Sequence, residues 1–295
     1  MIRDVVSAMI RDCRSRDLSE HTIEYYQFQC EIFAAFCQHQ GVMDIEKITP
    51  DLLRQYLIHL KETGHNEGGV HAKYRAMKTL MLWYEREFEP EGWKNPIHKV
   101  RPPKVPEVLV EPVTVEQVTA LLRGCDSSLS GLRDRALILF LLDTGVRVSE
   151  LWSLLTADVD IYVGSVFIRR GKGGKPRTVR IGKKTTRALR RYLRQRTDQN
   201  PSLWVTEWGD TYAVKSMQGM LARRCESAGI EHQSPHKFRK SFITLMSRTP
   251  GVDIFNLMAL SGNKSIEVLK RHYVEVGEES TRIAHERGSP VDRLL

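Results

Sequence analysis

Apolar side chains recur every three or four positions in three stretches of the N-terminal part of the chain, at about 19–41, 49–64 and 70–88. The second stretch opens on Thr49 and Pro50, a capping residue followed by proline in the first turn, which is a helix start signal. The spacing predicts amphipathic helices that bury their apolar faces against one another. We therefore expect a small helical bundle in this part of the protein.

The helical pattern stops between Asn95 and Pro112, where prolines recur among a few basic residues. Such a stretch predicts an extended, semi-rigid linker. We therefore expect a helical domain over 1–100, a linker over 101–112 and a second domain over 113–295.

The second domain changes its pattern twice. Thr114 and Gln117 form a capping-box signature, and residues 132–142 predict a strongly apolar helix. Between 158 and 181, short alternating runs flank a glycine-rich turn, which predicts a hairpin or a three-stranded antiparallel sheet. Helices resume from Thr185. The expected fold class is mainly α with a small antiparallel β-sheet.

Charge and composition narrow the functional classes. The 295 residues carry a net charge of +9, and no apolar run is long enough to span a bilayer. The N-terminus has no hydrophobic signal core, so we expect a cytoplasmic protein with access to the nucleoid and without a membrane partner. The five cysteines are widely spaced and include no C-x-x-C pair, so we expect reduced thiols rather than a disulfide framework or a zinc ribbon.

The basic residues are concentrated in one stretch. Between Ile161 and Thr197 there is no acidic residue, whereas lysine and arginine recur throughout. A solvated basic face is one interpretation. Because like charges at this density repel unless a polyanion neutralises them, we favour contact with nucleic acid.

Four short motifs contain the residues that could do chemistry. In T-G-V-R-V-S-E-L, Gly145 ends one apolar helix and Arg147 stands where the next begins. An arginine there must face a cleft or form an ion pair, and Glu150, three residues later, is on the same helical face. In G-K-G-G-K-P-R, Lys172 is predicted to lie in a glycine-rich turn between two strands. The motif lacks the P-loop pattern, so we exclude nucleotide binding.

The other two motifs lie further along the chain. In S-P-H-K-F-R, His236 and Arg239 share a helical face. Pro235 separates His232 from His236, and no third ligand is near, so we reject a zinc site. The last motif runs from L-S-G-N to H-Y-V and ends on Tyr273.

Together, in the order Arg, Lys, His-x-x-Arg, Tyr, these motifs resemble the tyrosine recombinases of the phage integrase family. The resemblance covers nearly the full length of the chain. It implies a SAM-like, core-binding N-terminal domain and a mixed α+β catalytic domain. It also implies that DNA is cleaved and rejoined through a 3′-phosphotyrosine intermediate, without metal, ATP or any other cofactor.

The resemblance also implies roles for individual residues. Tyr273 is the nucleophile, Arg147 and Arg239 clamp the phosphate, and Lys172 protonates the leaving oxygen. His236 takes the proton of the tyrosine or orients the phosphate, and Glu150 braces Arg147 or His236. We expect further DNA contacts from basic neighbours of these motifs, namely Arg169, Arg170, Lys175, Arg177 and Lys240.

The chain departs from the family pattern at two points. Asn263 stands where the family usually has histidine or tryptophan. The usual spacing from that position would reach His272, one residue before Tyr273. Because a histidine nucleophile is foreign to this chemistry, we retain Tyr273 as the nucleophile and Asn263 as a hydrogen-bond donor to the phosphate.

The expected partners are double-stranded DNA and other recombinase subunits. The resemblance implies a homo-tetramer on DNA, or a hetero-tetramer with a related recombinase, in which subunits exchange a C-terminal segment, for which Gly277–Leu295 is the candidate. Two alternatives remain open. One is a DNA-binding protein derived from a recombinase that is catalytically weak or inactive. The other is a topoisomerase of the type IB kind, which shares the chemistry but relaxes supercoils without a defined site.

Overall fold

The structure is a computed structural model that describes residues 1–106, 111–169, 176–249 and 252–263, together with 266 and 269. The chain divides into two compact units, residues 1–108 and 109–295. The division falls inside the stretch 101–112, and the exact limits of the linker stay a prediction.

The first unit is a helical bundle, as its apolar periodicity predicts. Its helices are α1 (Ile2–Ser15), α2 (Glu20–His39), α3 (Pro50–Glu62) and α4 (Glu67–Phe88), with short 3₁₀ turns at Ile45–Lys47 and Pro96–Lys99. Side-chain caps set three of the helix starts, because the side chains of Ser19, Thr49 and Asn66 accept backbone N–H groups of the first turns. The apolar faces meet in one core that includes Phe33, Leu53, Tyr56, Met77 and Leu80.

Three details of this unit differ from the sequence pattern. Helix α1 was not delimited by it. The start of α4 is Glu67 rather than Val70, because Asn66 caps the helix through Gly69 N at 2.8 Å. The chain is not extended directly after Asn95, since the turn Pro96–Lys99 follows and Ile97 is buried in the bundle core.

The second unit is built around one buried helix. Its elements are α5 (Val115–Arg123), α6 (Leu129–Thr144), α7 (Val148–Trp152), β1 (Val159–Asp160), β2 (Ser165–Ile168), β3 (Arg177–Arg180), α8 (Lys183–Gln195), α9 (Val214–Ser227), α10 (Pro235–Ser247) and α11 (Ile254–Ser261), with a 3₁₀ turn at Thr156–Asp158. Helix α6 is apolar on most of its surface and packs against both α8 and α10. Its burial explains why its apolar residues show no single face.

The three strands form an antiparallel sheet in the order β1-β2-β3, which confirms the three-stranded prediction. Val166 of β2 pairs with Val159 on one side and Val179 on the other. Strand β1 lies earlier than the pattern indicated, because Val163 and Gly164 form the turn between β1 and β2. None of the helices in the described ranges is long and apolar enough to cross a membrane.

Candidate active site

A tight turn at Gly145 begins the site. Helix α6 ends at Thr144, and Gly145 adopts a left-handed conformation with φ of +57°. A Cβ at this position would lie 2.3 Å from the ring of Phe242, so only glycine fits here. The chain reverses within two residues and restarts as α7. Arg147 is therefore held at the N-terminus of α7, as the break in the apolar pattern predicts.

Glu150 is the single carboxylate of the site among the residues that the structure describes. Its side chain is 2% exposed, and its two oxygens accept four hydrogen bonds. Arg147 donates from its backbone N and from Nη1, both at 2.9 Å. Arg177 donates from Nη1 at 2.9 Å and from Nη2 at 2.8 Å. Glu150 thus braces Arg147, as one of the two sequence-based options has it, and its second partner is Arg177 rather than His236.

The charge state of Glu150 follows from these contacts. Burial acts to raise the pKa of its carboxyl. The hydrogen bonds from Arg177 and from the backbone of Arg147, with the charges of both guanidinium groups, outweigh burial and hold the pKa below its ordinary value. Glu150 is therefore an anion at neutral pH.

Among the described residues, Arg239 is the most deeply buried cation of the site. It projects from α10, which starts with Ser234 as its cap and Pro235 in its first turn. Its side chain donates from Nη1 to the Gly145 carbonyl at 2.6 Å and from Nη2 to Asn263 Oδ1 at 2.8 Å. Burial, reinforced by the charge of Arg147, lowers its pKa to about 10. At neutral pH the group stays charged, although both of its partners are neutral.

His236 lies one turn before Arg239 on α10 and is exposed. Partial desolvation lowers the pKa of its imidazole, and the charges of Lys240, Arg239 and Arg147 act in the same direction. The ring is therefore mainly neutral at pH 7 and can accept a proton. Phe238 and Phe242 on the opposite face are buried, which confirms the predicted orientation of the helix.

Asn263 joins the site from the end of α11. The helix ends at Ser261 and is capped by Gly262, which has φ of +64° and whose carbonyl accepts a hydrogen bond from Arg147 Nη2 at 3.3 Å. Because arginine has donors only, the contact with Arg239 Nη2 fixes Oδ1 of Asn263 toward the guanidinium. Its Nδ2 is then directed away from Arg239, and it is buried without a hydrogen-bond partner in the described part of the chain.

The other predicted site residues have different surroundings. Arg169 pairs with Asp158 at 2.5 Å, and Arg177 pairs with Glu150, so neither is a free surface cation. Lys240 is half-buried on α10 beside His236. The residues Arg170, Lys172, Lys175 and Tyr273 lie outside the described residues.

Arg177 was expected at the DNA, and its part in the site was missed. The alternation of β3 contained a usable signal, since Arg177 and the buried Val179 are two positions apart and share one face of the strand. A cation on that inward face needs a carboxylate partner.

Helix α8 carries the densest part of the basic stretch. Its buried positions, Thr185, Ala188, Leu189 and Tyr192, face α6. At 100° per residue, its basic side chains fall within an arc of about 120° on the opposite side. All are exposed, and none has an ion-pair partner among the residues that the structure describes: Lys183, Lys184, Arg187, Arg190, Arg191 and Arg194.

Sequence models of known families match both units. Residues 111–280 match the phage integrase family, and residues 13–87 match the phage integrase N-terminal SAM-like domain. The chain belongs to the phage integrase family. The first match spans the three strands and the whole of the site described above, and the second spans most of the helical bundle.

Among similar proteins is tyrosine recombinase XerA of Thermococcus kodakarensis, 32% identical over 244 residues, which are 82% of each chain. Tyrosine recombinase XerC of Oceanobacillus iheyensis is 29% identical over 285 residues, 93% of this chain and 92% of that one. Among solved structures, the Tn1549 transposon integrase in complex with a circular intermediate DNA superposes with a TM-score of 0.76 at 18% identity, over 96% of this chain and 99% of that one. The XerH recombinase bound to a palindromic difH substrate superposes with a TM-score of 0.71 at 18% identity, over 97% of this chain and 85% of that one. These structures share the fold.

Proposed function

We propose that this protein is a site-specific DNA recombinase that cleaves and rejoins double-stranded DNA through a 3′-phosphotyrosine at Tyr273. The observation that carries the proposal is the charge of the described site. Three guanidinium groups, those of Arg147, Arg177 and Arg239, surround one carboxylate, that of Glu150. Among the described residues, two of these positive charges have no counterion in a largely buried place, which suits a phosphodiester.

The reaction conserves the number of phosphoester bonds. The Tyr273 hydroxyl attacks the phosphorus, the bond to the 5′-oxygen breaks, and the 5′-hydroxyl strand is released. The same steps in reverse rejoin a strand. Because a phosphotyrosyl ester replaces a phosphodiester, rejoining needs no ATP.

The arginines would stabilise the charge that gathers on the non-bridging oxygens. Arg147 and Arg239 approach from different helices, and the planar, permanently charged guanidinium suits two oxygens at once. Asn263 Nδ2 is an additional donor, because Arg239 fixes the orientation of the amide and this nitrogen has no hydrogen-bond partner in the described part of the chain. We keep it in this role although the family usually has histidine or tryptophan there.

Proton transfer would involve two other residues. The neutral imidazole of His236 takes the proton of Tyr273 or orients the phosphate. Lys172 gives a proton to the leaving 5′-oxygen. Both Tyr273 and Lys172 come to this proposal from the sequence motifs.

The assembly follows from the same proposal. DNA is the partner, consistent with structural neighbours solved in DNA complexes. We propose a homo-tetramer on DNA, or a hetero-tetramer with a related recombinase, in which the segment 277–295 is exchanged between subunits. We further propose a helical domain over 1–100, a linker over 101–112 and a catalytic domain over 113–295. We expect the protein to act at the nucleoid.

Two features of the sequence favour the alternative of a DNA-binding protein with weak or no cleavage. Asn263 is neutral and cannot act as an acid or base near neutral pH, and Tyr273 is one residue beyond the usual spacing. Replacing Asn263 with histidine separates the two. A large gain in cleavage would indicate a decayed enzyme, whereas we expect less than about a tenfold change, because Asn263 already provides a donor.

A plasmid assay tests the proposed function against both alternatives. The DNA segment that the protein retains most tightly from sheared genomic fragments is cloned twice in one supercoiled plasmid. A recombinase yields two smaller circles, or an inverted segment, according to the orientation of the copies. Relaxation without rearrangement would indicate a topoisomerase, and retention without either product would indicate a binding protein.

A further inference from the structure

We infer that Arg177 is a positioning residue which, through Glu150, keeps Arg147 both oriented and electrically available to the phosphate. The inference rests on the proposed function and concerns the same site. The observation behind it is that one buried carboxylate is shared by two arginines from different elements, α7 and β3.

Arg177 fixes the plane of the carboxylate. Its Nη1 and Nη2 meet the two oxygens of Glu150 at 2.9 and 2.8 Å, which is a bidentate fork. The same two oxygens also accept hydrogen bonds from the backbone N and from Nη1 of Arg147. The position of the Arg147 guanidinium is therefore set by a carboxylate that Arg177 holds in place.

Arg177 also balances charge. Were Arg147 the only partner of Glu150, the pair would be neutral and would attract a phosphate weakly. The side chain of Arg177 is only 12% exposed, so its charge interacts mainly with the Glu150 carboxylate beside it. With Arg177 acting as the counterion of Glu150, the charge of Arg147 is left for the DNA.

A second contact links Arg177 to the other side of the site. A Cβ on Gly262 would lie 2.8 to 2.9 Å from Cζ, Nε and Nη1 of Arg177, so the guanidinium packs directly on this glycine. Gly262 accepts from Arg147 and precedes Asn263, the partner of Arg239. One side chain of β3 thus touches both the carboxylate that orients Arg147 and the turn that carries Asn263.

The test is a set of full-length variants assayed for single-turnover formation of the covalent DNA adduct. Arg177→Met is expected to form it about 100-fold more slowly, the order of loss expected when a group at the reaction centre is misplaced by about 1 Å. Noncovalent DNA binding should change less than about threefold. Arg177→Lys, which restores the charge without the fork, should recover at least about tenfold of the loss.

The decisive arm is Glu150→Gln in the Arg177→Met background. Removing the carboxylate removes the need for its counterion, so we expect this double variant to be at least tenfold faster than Arg177→Met. A purely structural role predicts that the second substitution adds to the loss. Arg224→Met is the matched control, because Arg224 makes a similar two-nitrogen contact with Asp134. It should leave the adduct rate per folded molecule unchanged.

The outcomes separate this inference from the proposed function. If the wild-type protein forms no adduct, the proposed function fails. If the wild type forms it and Arg177→Met does so at the same rate, only the positioning role is overturned. A double variant slower than Arg177→Met would also overturn it. Should Arg177→Met not fold, Arg177→Gln, which keeps hydrogen-bond donors without the charge, is scored in its place. A wild-type rate there would contradict the counterion argument.

Discussion

In the described part of the second unit, arginines share one buried carboxylate in two clusters, and the two are built differently. In the first cluster, Asp134 is held by Arg133 and Arg224. Every guanidinium nitrogen of these two arginines donates a hydrogen bond, to Asp134 or to the carbonyls of Val205 and Gly124. The Arg133 guanidinium also lies 3.7 Å from the centre of the Tyr212 ring. No guanidinium nitrogen of this cluster is left without a hydrogen-bond partner.

The cluster around Glu150, in its described residues, has hydrogen-bond donors without partners and more positive than negative charge. Arg239 binds only neutral oxygens, and Arg177 Nε and Asn263 Nδ2 are buried without a hydrogen-bond partner in the described residues. Buried polar groups are normally satisfied, so such atoms mark strain or the place of a ligand. A saturated cluster stabilises the fold, whereas an unsaturated one is prepared for a polyanion.

The sharpest way to break this comparison is Arg239→Ala. We expect adduct formation to fall by about 10³-fold, because the variant removes a charged donor from the site of developing charge. Stability should fall less than after the loss of a paired charge, since Arg239 has no carboxylate partner among the described residues and only the neutral oxygens of Gly145 and Asn263 lose their donor. Single-turnover kinetics and thermal unfolding on one preparation check both points. A loss of activity that merely followed a loss of folded protein would contradict the assignment.

The opposite pattern is expected for Asp134→Asn. Breaking a buried ion pair by removing one partner typically costs about 3 to 5 kcal/mol, so the free energy of unfolding should fall by that order. Adduct formation per folded molecule should stay within about threefold of the wild type. Denaturant unfolding and active-site titration measure the two quantities. A cleavage defect without destabilisation would show that the two clusters are not distinct in function.

The pH dependence sharpens the contrast at His236. The pKa of the His236 imidazole in the folded protein lies below the ordinary 6.5. The ring is therefore protonated, and unable to accept the proton of Tyr273, only at a pH below that value. The rate of adduct formation should therefore be level near pH 7 and fall as pH drops through a midpoint below 6.5. The His236→Asn variant should form the adduct about 10²-fold more slowly or worse, and its rate should no longer fall at acid pH. An unchanged fall at acid pH would assign it to another group.

The smallest expected effect on the reaction comes from the exposed basic side chains of α8, which are expected to act on DNA binding. Replacing Arg187, Arg190, Arg191 and Arg194 with glutamine should reduce the slope of log affinity against log salt by about 3 to 4, if each arginine neutralises one phosphate. The control is Arg123→Gln, a change at an exposed cation of α5 that should alter the slope by less than 1. An unchanged slope in the fourfold variant would indicate a solvated face.

Local pattern explains which parts could be predicted from the sequence. Gly145, Arg147 and Glu150 lie within six positions, so a helix break and a contact at i, i+3 can be inferred directly. The same holds for His236, Arg239 and the buried Phe238 and Phe242. Periodicity and turn signals likewise predicted the bundle and strands β2 and β3, whereas β1 lies earlier than the pattern indicated.

The misses have a different physical origin. Arg177 meets a carboxylate 27 positions away, and Arg147 meets a carbonyl 115 positions away. Nothing in the periodicity of one segment specifies such a partner. The basic stretch therefore looked uniform, although tertiary contacts divide it into paired arginines and the exposed cations of α8.

The most direct test of the central claim is identification of the side chain that carries the DNA. Wild type, Tyr273→Phe and His272→Asn are incubated with target DNA in EDTA and denatured in SDS, and the DNA-linked peptide is isolated. The account predicts adducts at Tyr273 from the wild type and from His272→Asn, and none from Tyr273→Phe. Adducts from Tyr273→Phe, or DNA bound by all three proteins and attached to none, would contradict it.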